Sequence, residues 1–156
     1  MLFFASVLLF FIMASSGFLP FIFMSTSLSG LALIIHITAA PLFCLSYAIF
    51  IVLSAFQYMY DEDDYIYIFK RKMLRKSGDI KPVQSLFLLK STFWISAAIS
   101  LPVIGSIILS LYPIFSTSEM DILLIIHKYS VLIFTISFVI QVYYSIILRM
   151  QEKNNA

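Results

Sequence analysis

Residues 28–57 read LSGLALIIHITAAPLFCLSYAIFIVLSAFQ, and this stretch decides the fold. A membrane-spanning α-helix needs roughly 20 consecutive apolar residues, so about 30 exceed what a bilayer requires. At 1.5 Å per residue the stretch would reach roughly 45 Å, which predicts a tilted helix or one that extends beyond the membrane at its cytoplasmic end. Inside it lies His36, an ionisable residue whose burial in lipid is costly and indicates a specific role.

Three further stretches have the same apolar character, at about 3–24, 86–112 and 120–148. The chain has 156 residues, of which 62% are hydrophobic and only 12% charged. Because a soluble domain of this size does not need so much apolar surface, the composition predicts an integral membrane protein. The predicted fold class is all-α: one transmembrane domain, an up-down-up-down four-helix bundle with a polar segment at 58–85.

The basic residues are concentrated on one side of the predicted membrane. The 58–85 segment carries Lys70, Arg71, Lys72, Arg75, Lys76 and Lys81, and the tail carries Arg149 and Lys153. The positive-inside rule places this segment and both termini on the cytoplasmic or matrix side of a bacterial or mitochondrial inner membrane. Since topology explains these residues, the net charge of +2 gives no reason to expect a nucleic-acid partner.

The 58–85 segment combines an acidic cluster with the basic run. Asp61 to Asp64 are predicted to cap or precede a short interfacial helix, with Tyr65, Tyr67 and Phe69 at headgroup level. A solvated connection and a docking surface for a cytoplasmic partner both stay open as interpretations.

Cys44 is the only cysteine and lies in the middle of the second span. A lone cysteine excludes an intramolecular disulfide, a CxxC redox pair, a CxxCH haem attachment and a cysteine-ligated iron–sulfur cluster within this chain. We interpret Cys44 as a small buried hydrophobe.

The chain has two histidines, His36 and His127, and each lies near the beginning of a predicted span. The second and fourth spans run in the same direction, because one span separates them. His36 is about eight residues into its span and His127 about seven, which gives depths of roughly 12 and 10 Å below the outer surface. Two imidazoles at nearly equal depth on parallel helices are predicted to face each other across the bundle.

A matched pair of intramembrane imidazoles predicts a shared ligand, and haem b suits two neutral imidazoles in an apolar slot. His36 and His127 would be the axial ligands of its iron.

The residues predicted to line the haem are Ala32, Ala39, Ala40 and Ser130. Lys128 is a counter-charge for a haem propionate or, equally, a lysine that snorkels to the interface. Pro41 is predicted to kink the helix beside the site. Hydroxyl groups at the level of the propionates are Ser29, Ser116 and Thr117.

Other interpretations of the histidines stay open. Each imidazole could be a polar helix–helix contact, hydrogen-bonded to a Ser, a Thr or a backbone carbonyl. A proton relay is less favoured, because no intramembrane Asp or Glu accompanies the pair. Zinc is less favoured again, because the residues that would complete four ligands are missing.

At these residues the chain resembles a known group of proteins. SGLALIIHITAAPLF in the second span and LLIIHKYSVLIF in the fourth resemble the membrane cytochrome b subunits of respiratory complexes. This group includes the b561-type and formate dehydrogenase gamma-type proteins, and the resemblance covers most of the chain from about Ser29 to Leu148. It implies a subunit that binds haem b between His36 and His127 and conducts electrons between a partner redox protein and the quinone pool.

The number of histidines limits what the resemblance implies. Members with two haems use at least four axial ligands, whereas two histidines hold one haem. A haem toward the outer side predicts a periplasmic or intermembrane-space electron carrier as partner, beside other subunits of a membrane redox complex. Such a subunit transfers electrons without bond chemistry of its own. The candidate quinone-binding residues are Tyr129, Ser130, Lys90 and Trp94.

Two other classes of function remain as alternatives. One is a haem-free membrane anchor or accessory subunit of a larger assembly, which Phe-rich helices and sparse glycine fit. The other is a small transporter that uses the histidines for protons or a metal, against which the scarcity of acidic residues within the spans counts.

Overall fold

The computed structural model describes residues 2–24, 29–62, 64–67, 69, 80–110, 112 and 114–155. These residues form four long α-helices: α1 (Leu2–Met24), α2 (Gly30–Ser54), α3 (Ile80–Ser110) and α4 (Thr117–Asn155). No strand occurs among them. The all-α prediction is confirmed, and the helices agree with the four predicted apolar stretches.

Within the part of the chain that the structure describes, three helices are long and apolar enough to cross a membrane. They are α2, the Ser85–Ser110 part of α3 and the Thr117–Gln151 part of α4. In α1 the described apolar run, Phe3–Phe18, is shorter. Large apolar side chains such as Leu31 and Leu101 are more than two-thirds exposed, as expected where lipid replaces water. These features indicate an integral membrane protein in a lipid bilayer, while a fourth crossing and the bundle topology stay predictions.

The chain divides into two compact units, Met1–Phe56 and Gln57–Ala156. In the first unit α1 packs against α2, and in the second α3 packs against α4. We call these pairs the N-terminal hairpin and the C-terminal hairpin.

The N-terminal hairpin is held together largely by aromatic rings. Across the two helices Phe3 meets Phe50 with ring centroids 5.4 Å apart and Phe10 meets Phe43 at 6.2 Å, and within α2 Phe43 stacks on Tyr47 at 5.4 Å. A serine pair adds a polar contact, in which Ser6 Oγ donates to Ser46 Oγ at 3.3 Å. Pro41 lies within α2, and the helix continues through it.

The C-terminal hairpin has a more polar core. Ser96 and Gln141 are fully buried and lie 3.0 Å apart, from Oγ to Oε1, and Ser137 Oγ donates to the backbone oxygen of Thr92 at 3.0 Å. Phe134 and Phe138 stack on α4 with centroids 5.6 Å apart.

A short helical segment at residues 64–67 precedes the C-terminal hairpin. The Asp64 N–H donates to Asp61 Oδ1 at 3.1 Å, and the Asp61 N–H donates to Asp64 Oδ2 at 2.9 Å. This reciprocal pair is a capping box built from two aspartates. The predicted capping role of the acidic cluster is therefore confirmed. The basic run from Lys70 to Lys76 lies outside the described residues.

Candidate functional site

His36 lies on the side of α2 that packs against α1. Its Nδ1 atom is 3.1 Å from the backbone oxygen of Met13 and 3.3 Å from Oγ of Ser16, both on α1. The Ser16 hydroxyl donates to the same Met13 oxygen at 3.0 Å. The half-buried imidazole thus completes a polar contact between the two helices of its hairpin.

His127 makes the same contact in the C-terminal hairpin. Its Nδ1 atom is 3.0 Å from the backbone oxygen of Val103 and 3.4 Å from Oγ of Ser106, both on α3. The Ser106 hydroxyl donates to the Val103 oxygen at 3.1 Å. Each histidine therefore meets a serine and the carbonyl three residues before it, on the preceding helix.

These partners determine which nitrogen of each imidazole carries the proton. A backbone carbonyl oxygen only accepts hydrogen bonds, so Nδ1 of His36 and of His127 must donate. In a neutral imidazole protonated at Nδ1, the lone pair is on Nε2. This is the form of a metal-ligating histidine, whose second nitrogen typically donates to a carbonyl or a carboxylate. It is also what a polar helix–helix contact requires, so the Nδ1 bonds agree with both interpretations.

The two hairpins carry their histidines in the same register. His36 is followed on α2 by the buried residues Phe43, Tyr47, Phe50 and Ser54. At identical spacing, His127 is followed on α4 by the buried residues Phe134, Phe138, Gln141 and Ser145. In each hairpin the histidine is thus followed by the same row of buried positions along its helix. Both helices also have the sequence IIH, at residues 34–36 and 125–127, as part of this longer correspondence.

Gly17 permits the close approach of α1 to His36. A Cβ added at Gly17 would lie 3.1 Å from Cε1 and 3.3 Å from Nδ1 of His36, tighter than most real contacts. At Gly105 on α3, by contrast, an added Cβ meets nothing within 4 Å. Gly17 is therefore a point of close helix approach beside a histidine, whereas Gly105 is not.

The predicted haem-lining residues differ in exposure. Ala39 is buried in the stripe that packs against α1, whereas Ala32 and Ala40 are half-buried. Ser130 is half-buried, and Lys128 is exposed beside His127. Four of these five side chains therefore lie at least partly open at the surface of their own hairpin, and Ala39 serves the packing of α2 on α1.

The hydroxyl residues proposed for the propionates lie at helix ends. Ser29 precedes α2 as its N-cap residue, without a side-chain capping bond. Ser116 precedes α4, and its N–H and Oγ both donate to Glu119 Oε2 at 2.7 Å. Ser116 and Glu119 form a capping box, which gives Ser116 a structural role. Thr117 is the first residue of α4.

Lys90, a predicted quinone contact, is part of a buried ionic cluster. Its Nζ lies 2.8 Å from Asp61 Oδ2 and 2.6 Å from Asp64 Oδ2. The Lys90 and Asp64 side chains are only 4% and 2% exposed, whereas that of Asp61 is 55% exposed. The bonded Lys90 ammonium holds the pKa of the Asp61 carboxyl below its ordinary value. Lys90 thus fastens the capping box to α3.

Trp94 has a similar anchoring role. Its Nε1–H donates to the backbone oxygen of Tyr58 at 2.8 Å, and the Tyr58 ring stacks on Phe93 with centroids 4.4 Å apart. Both inner quinone candidates are engaged in holding the segment before α3. A quinone contact at Lys90 or Trp94 stays a prediction, as it does at the exposed Tyr129.

Sequence reasoning did not find the partners of the histidines. These partners are Met13, Ser16 and Gly17 on α1, and Val103 and Ser106 on α3. The available signal was the spacing, since Phe3, Ser6 and Ser16 recur as Phe93, Ser96 and Ser106, each 90 positions later. Three identical residues in two apolar helices are weak evidence of a correspondence until the buried positions of the two hairpins are known.

Metal binding by side chains alone has no candidate site among the described residues, where no three His, Cys, Asp or Glu residues come together. Two histidines suffice for haem, because the porphyrin supplies four nitrogen ligands. Comparison of the chain with protein-family models, curated proteins and solved structures finds no match. The resemblance to cytochrome b subunits therefore stays a prediction.

Proposed function

We propose that this protein is a haem b-binding membrane subunit of a redox complex, with His36 and His127 as the two axial ligands. The observation that carries the proposal is the repeated arrangement at Nδ1. In both hairpins the imidazole donates to a backbone carbonyl that a serine also bonds, at 3.0–3.1 Å. One such contact is ordinary helix packing, but two at the same register are expected of residues with a common task.

The residues around the histidines fit a haem. The Nδ1 bonds fix the ring orientation and raise the basicity of Nε2, as the outer partners of metal-ligating histidines do. Ala32 and Ala40 are small and partly exposed, which suits a flat apolar ligand near the backbone. The exposed Lys128 ammonium, next to His127, would hold a propionate.

Bound haem supplies one-electron chemistry, and the chain's own part is to hold and tune it. His36 is six residues from the start of α2 and His127 ten residues from the start of α4, about 9 and 15 Å along the helices, so these distances are less alike than the sequence predicts. We propose electron transfer between the quinone pool and a partner redox protein on the side of the membrane where α2 and α4 begin. With two histidines the chain holds one haem, so a second haem would need another subunit.

The test is a reduced-minus-oxidised spectrum of the purified full chain. We expect a b-type α-band that is lost in both His36→Ala and His127→Ala. Matched controls are Ile37→Ala and Ile126→Ala, which shorten the lipid-exposed neighbours of the two histidines and should keep the band. Circular dichroism would verify that all four variants retain their helices.

The same experiment decides the alternative of a haem-free anchor. If the chain purified after expression with ample haem has no α-band, or if the band survives in either histidine variant, the haem proposal is wrong. The Nδ1 contacts would then be structural bonds within each hairpin, and the exposed apolar helix faces would serve assembly with larger subunits.

A further inference from the structure

Ser16 and Ser106 occupy corresponding places in the two hairpins. Each is on the first helix of its hairpin, and each hydroxyl donates to the carbonyl three residues earlier. Each oxygen also lies next to Nδ1 of the histidine, at 3.3 Å for His36 and 3.4 Å for His127. Serine back-bonding is common in membrane helices, but its coincidence with a histidine contact is specific to these two positions among the described serines.

The protons at each site can be fully assigned. The serine has one hydroxyl proton, and the carbonyl takes it at 3.0–3.1 Å. The serine oxygen is then left as an acceptor facing the imidazole, whose Nδ1–H has two oxygens within reach. The serine and the carbonyl together form a two-oxygen acceptor for one N–H. A serine that donated to Nδ1 instead would impose the opposite tautomer, and its bond to the carbonyl prevents this.

We propose that Ser16 and Ser106 are equivalent positioning residues, each of which keeps the neighbouring imidazole protonated at Nδ1, so that its lone pair is on Nε2. Their effect on a haem rests on the proposed function, whereas their effect on the tautomer does not. Because both hairpins have the same serine and carbonyl arrangement at Nδ1, both histidines are held in the same tautomer.

The first test needs no haem. The full chain contains only two histidines, so ¹⁵N-histidine labelling gives two rings, assigned with the single variants His36→Gln and His127→Gln. In lipid nanodiscs the ¹⁵N shifts should show both rings protonated at Nδ1. In Ser16→Ala the share of the Nε2–H form should rise about two- to tenfold at His36 alone, the range of one modest hydrogen bond. Ser106→Ala should do the same at His127 alone.

Two serines on the same helices serve as matched controls. Ser15 bonds the Phe11 and Ile12 carbonyls, and Ser110 bonds the Ile107 carbonyl, so each makes the same kind of back-bond without the histidine contact. Ser15→Ala and Ser110→Ala should leave both rings unchanged. Ser16→Thr and Ser106→Thr, which retain the hydroxyl, should restore the wild-type tautomer. A ring that is protonated at Nε2 in the wild type, or unaffected by loss of its serine, overturns the proposal.

The second test uses the haem-loaded chain. A serine oxygen that accepts the Nδ1–H bond makes the imidazole a stronger donor to iron and so favours the oxidised state. Loss of the serine hydroxyl should therefore favour reduction of the iron. At a fixed applied potential, Ser16→Ala and Ser106→Ala should each raise the ratio of reduced to oxidised haem by about twofold or more, and the control variants should not. Unchanged ratios in both serine variants would refute the tuning role. An absent α-band would refute the proposed function instead and leave the tautomer test intact.

Discussion

The two hairpins agree at the end that carries the histidine and differ at the other end. In the N-terminal hairpin Phe50 packs on Phe3, with ring centroids 5.4 Å apart. At the corresponding place in the C-terminal hairpin the buried Gln141 meets Ser96 on α3. The contact of the histidine with a serine and a carbonyl corresponds in the two hairpins, and so do the stacked rings that follow it, Phe43 on Tyr47 and Phe134 on Phe138. The correspondence at the histidines therefore extends to these rings, and the two hairpins differ farther along the helices, at Phe50 and Gln141.

The C-terminal hairpin also has a buried ionic cluster for which the N-terminal hairpin offers no counterpart among the described residues. In this cluster Lys90 joins α3 to the capping box of Asp61 and Asp64. Taking charges out of water is costly, and the cost is recovered only while every charge is paired. We therefore expect the largest stability effects in this part of the protein.

The strongest prediction concerns Lys90. Lys90→Met leaves the Asp64 carboxylate buried without its partner and should lower the free energy of unfolding by about 3–5 kcal/mol. The measurement is reversible unfolding of the full chain in mixed micelles with increasing SDS. Lys128→Met, at an exposed position, is the control and should change stability by less than about 1 kcal/mol.

A charge-free variant sharpens this test. Replacing all three members, as Lys90→Met with Asp61→Asn and Asp64→Asn, removes the unpaired charge and should recover most of the loss. If Lys90→Met is as stable as Lys128→Met, the cluster does not hold the segment to α3, and the contrast between the hairpins fails at this point.

The next prediction exchanges the residues that distinguish the cores. Phe50→Gln in the N-terminal hairpin removes a buried ring and introduces a buried amide opposite Phe3, which should cost about 2–4 kcal/mol. Gln141→Phe places a ring at the position that matches Phe50 and removes a buried amide nitrogen that has no hydrogen-bond partner. It should change stability by less than about 1.5 kcal/mol, because the larger ring offsets part of the gain. Equal losses from the two exchanges would contradict the difference between the two cores at Phe50 and Gln141.

The sequence predicted the helices well and the site only in part. Apolar stretches of more than 20 residues leave little choice but a helix in lipid, so the four stretches and the four helices agree. Periodicity does not tell which side of a helix meets its neighbour when that helix is apolar all round. For this reason His36 and His127 could be placed along their helices, but their contacts with Met13 and Val103 could not be predicted.

The charged residues show a similar division. Capping by Asp61 and Asp64 was predictable, because it depends on residues three apart in the chain. The pairing of the same carboxylates with Lys90, 26 and 29 positions away, depends on how the segment folds back on α3. The sequence predicts a quinone contact at Lys90 from its position near the inner surface. A lysine that anchors a segment to a helix has the same position, so position alone does not distinguish the two roles.

The smallest expected effect comes from the two helical glycines beside the sites. Gly17→Ala places a Cβ about as close as 3.1 Å to the His36 ring, and overpacking of this kind costs about 1–3 kcal/mol. Gly105→Ala meets open space and should stabilise α3 by about 0.5–1 kcal/mol, the usual gain of alanine over glycine in a helix. The same SDS unfolding experiment measures both. The Nδ1 signal of His36 in ¹⁵N spectra should move in Gly17→Ala and stay in Gly105→Ala. A Gly17→Ala variant that is stabilised as much as Gly105→Ala, with an unmoved His36 signal, would mean that α1 leaves room for a Cβ beside His36.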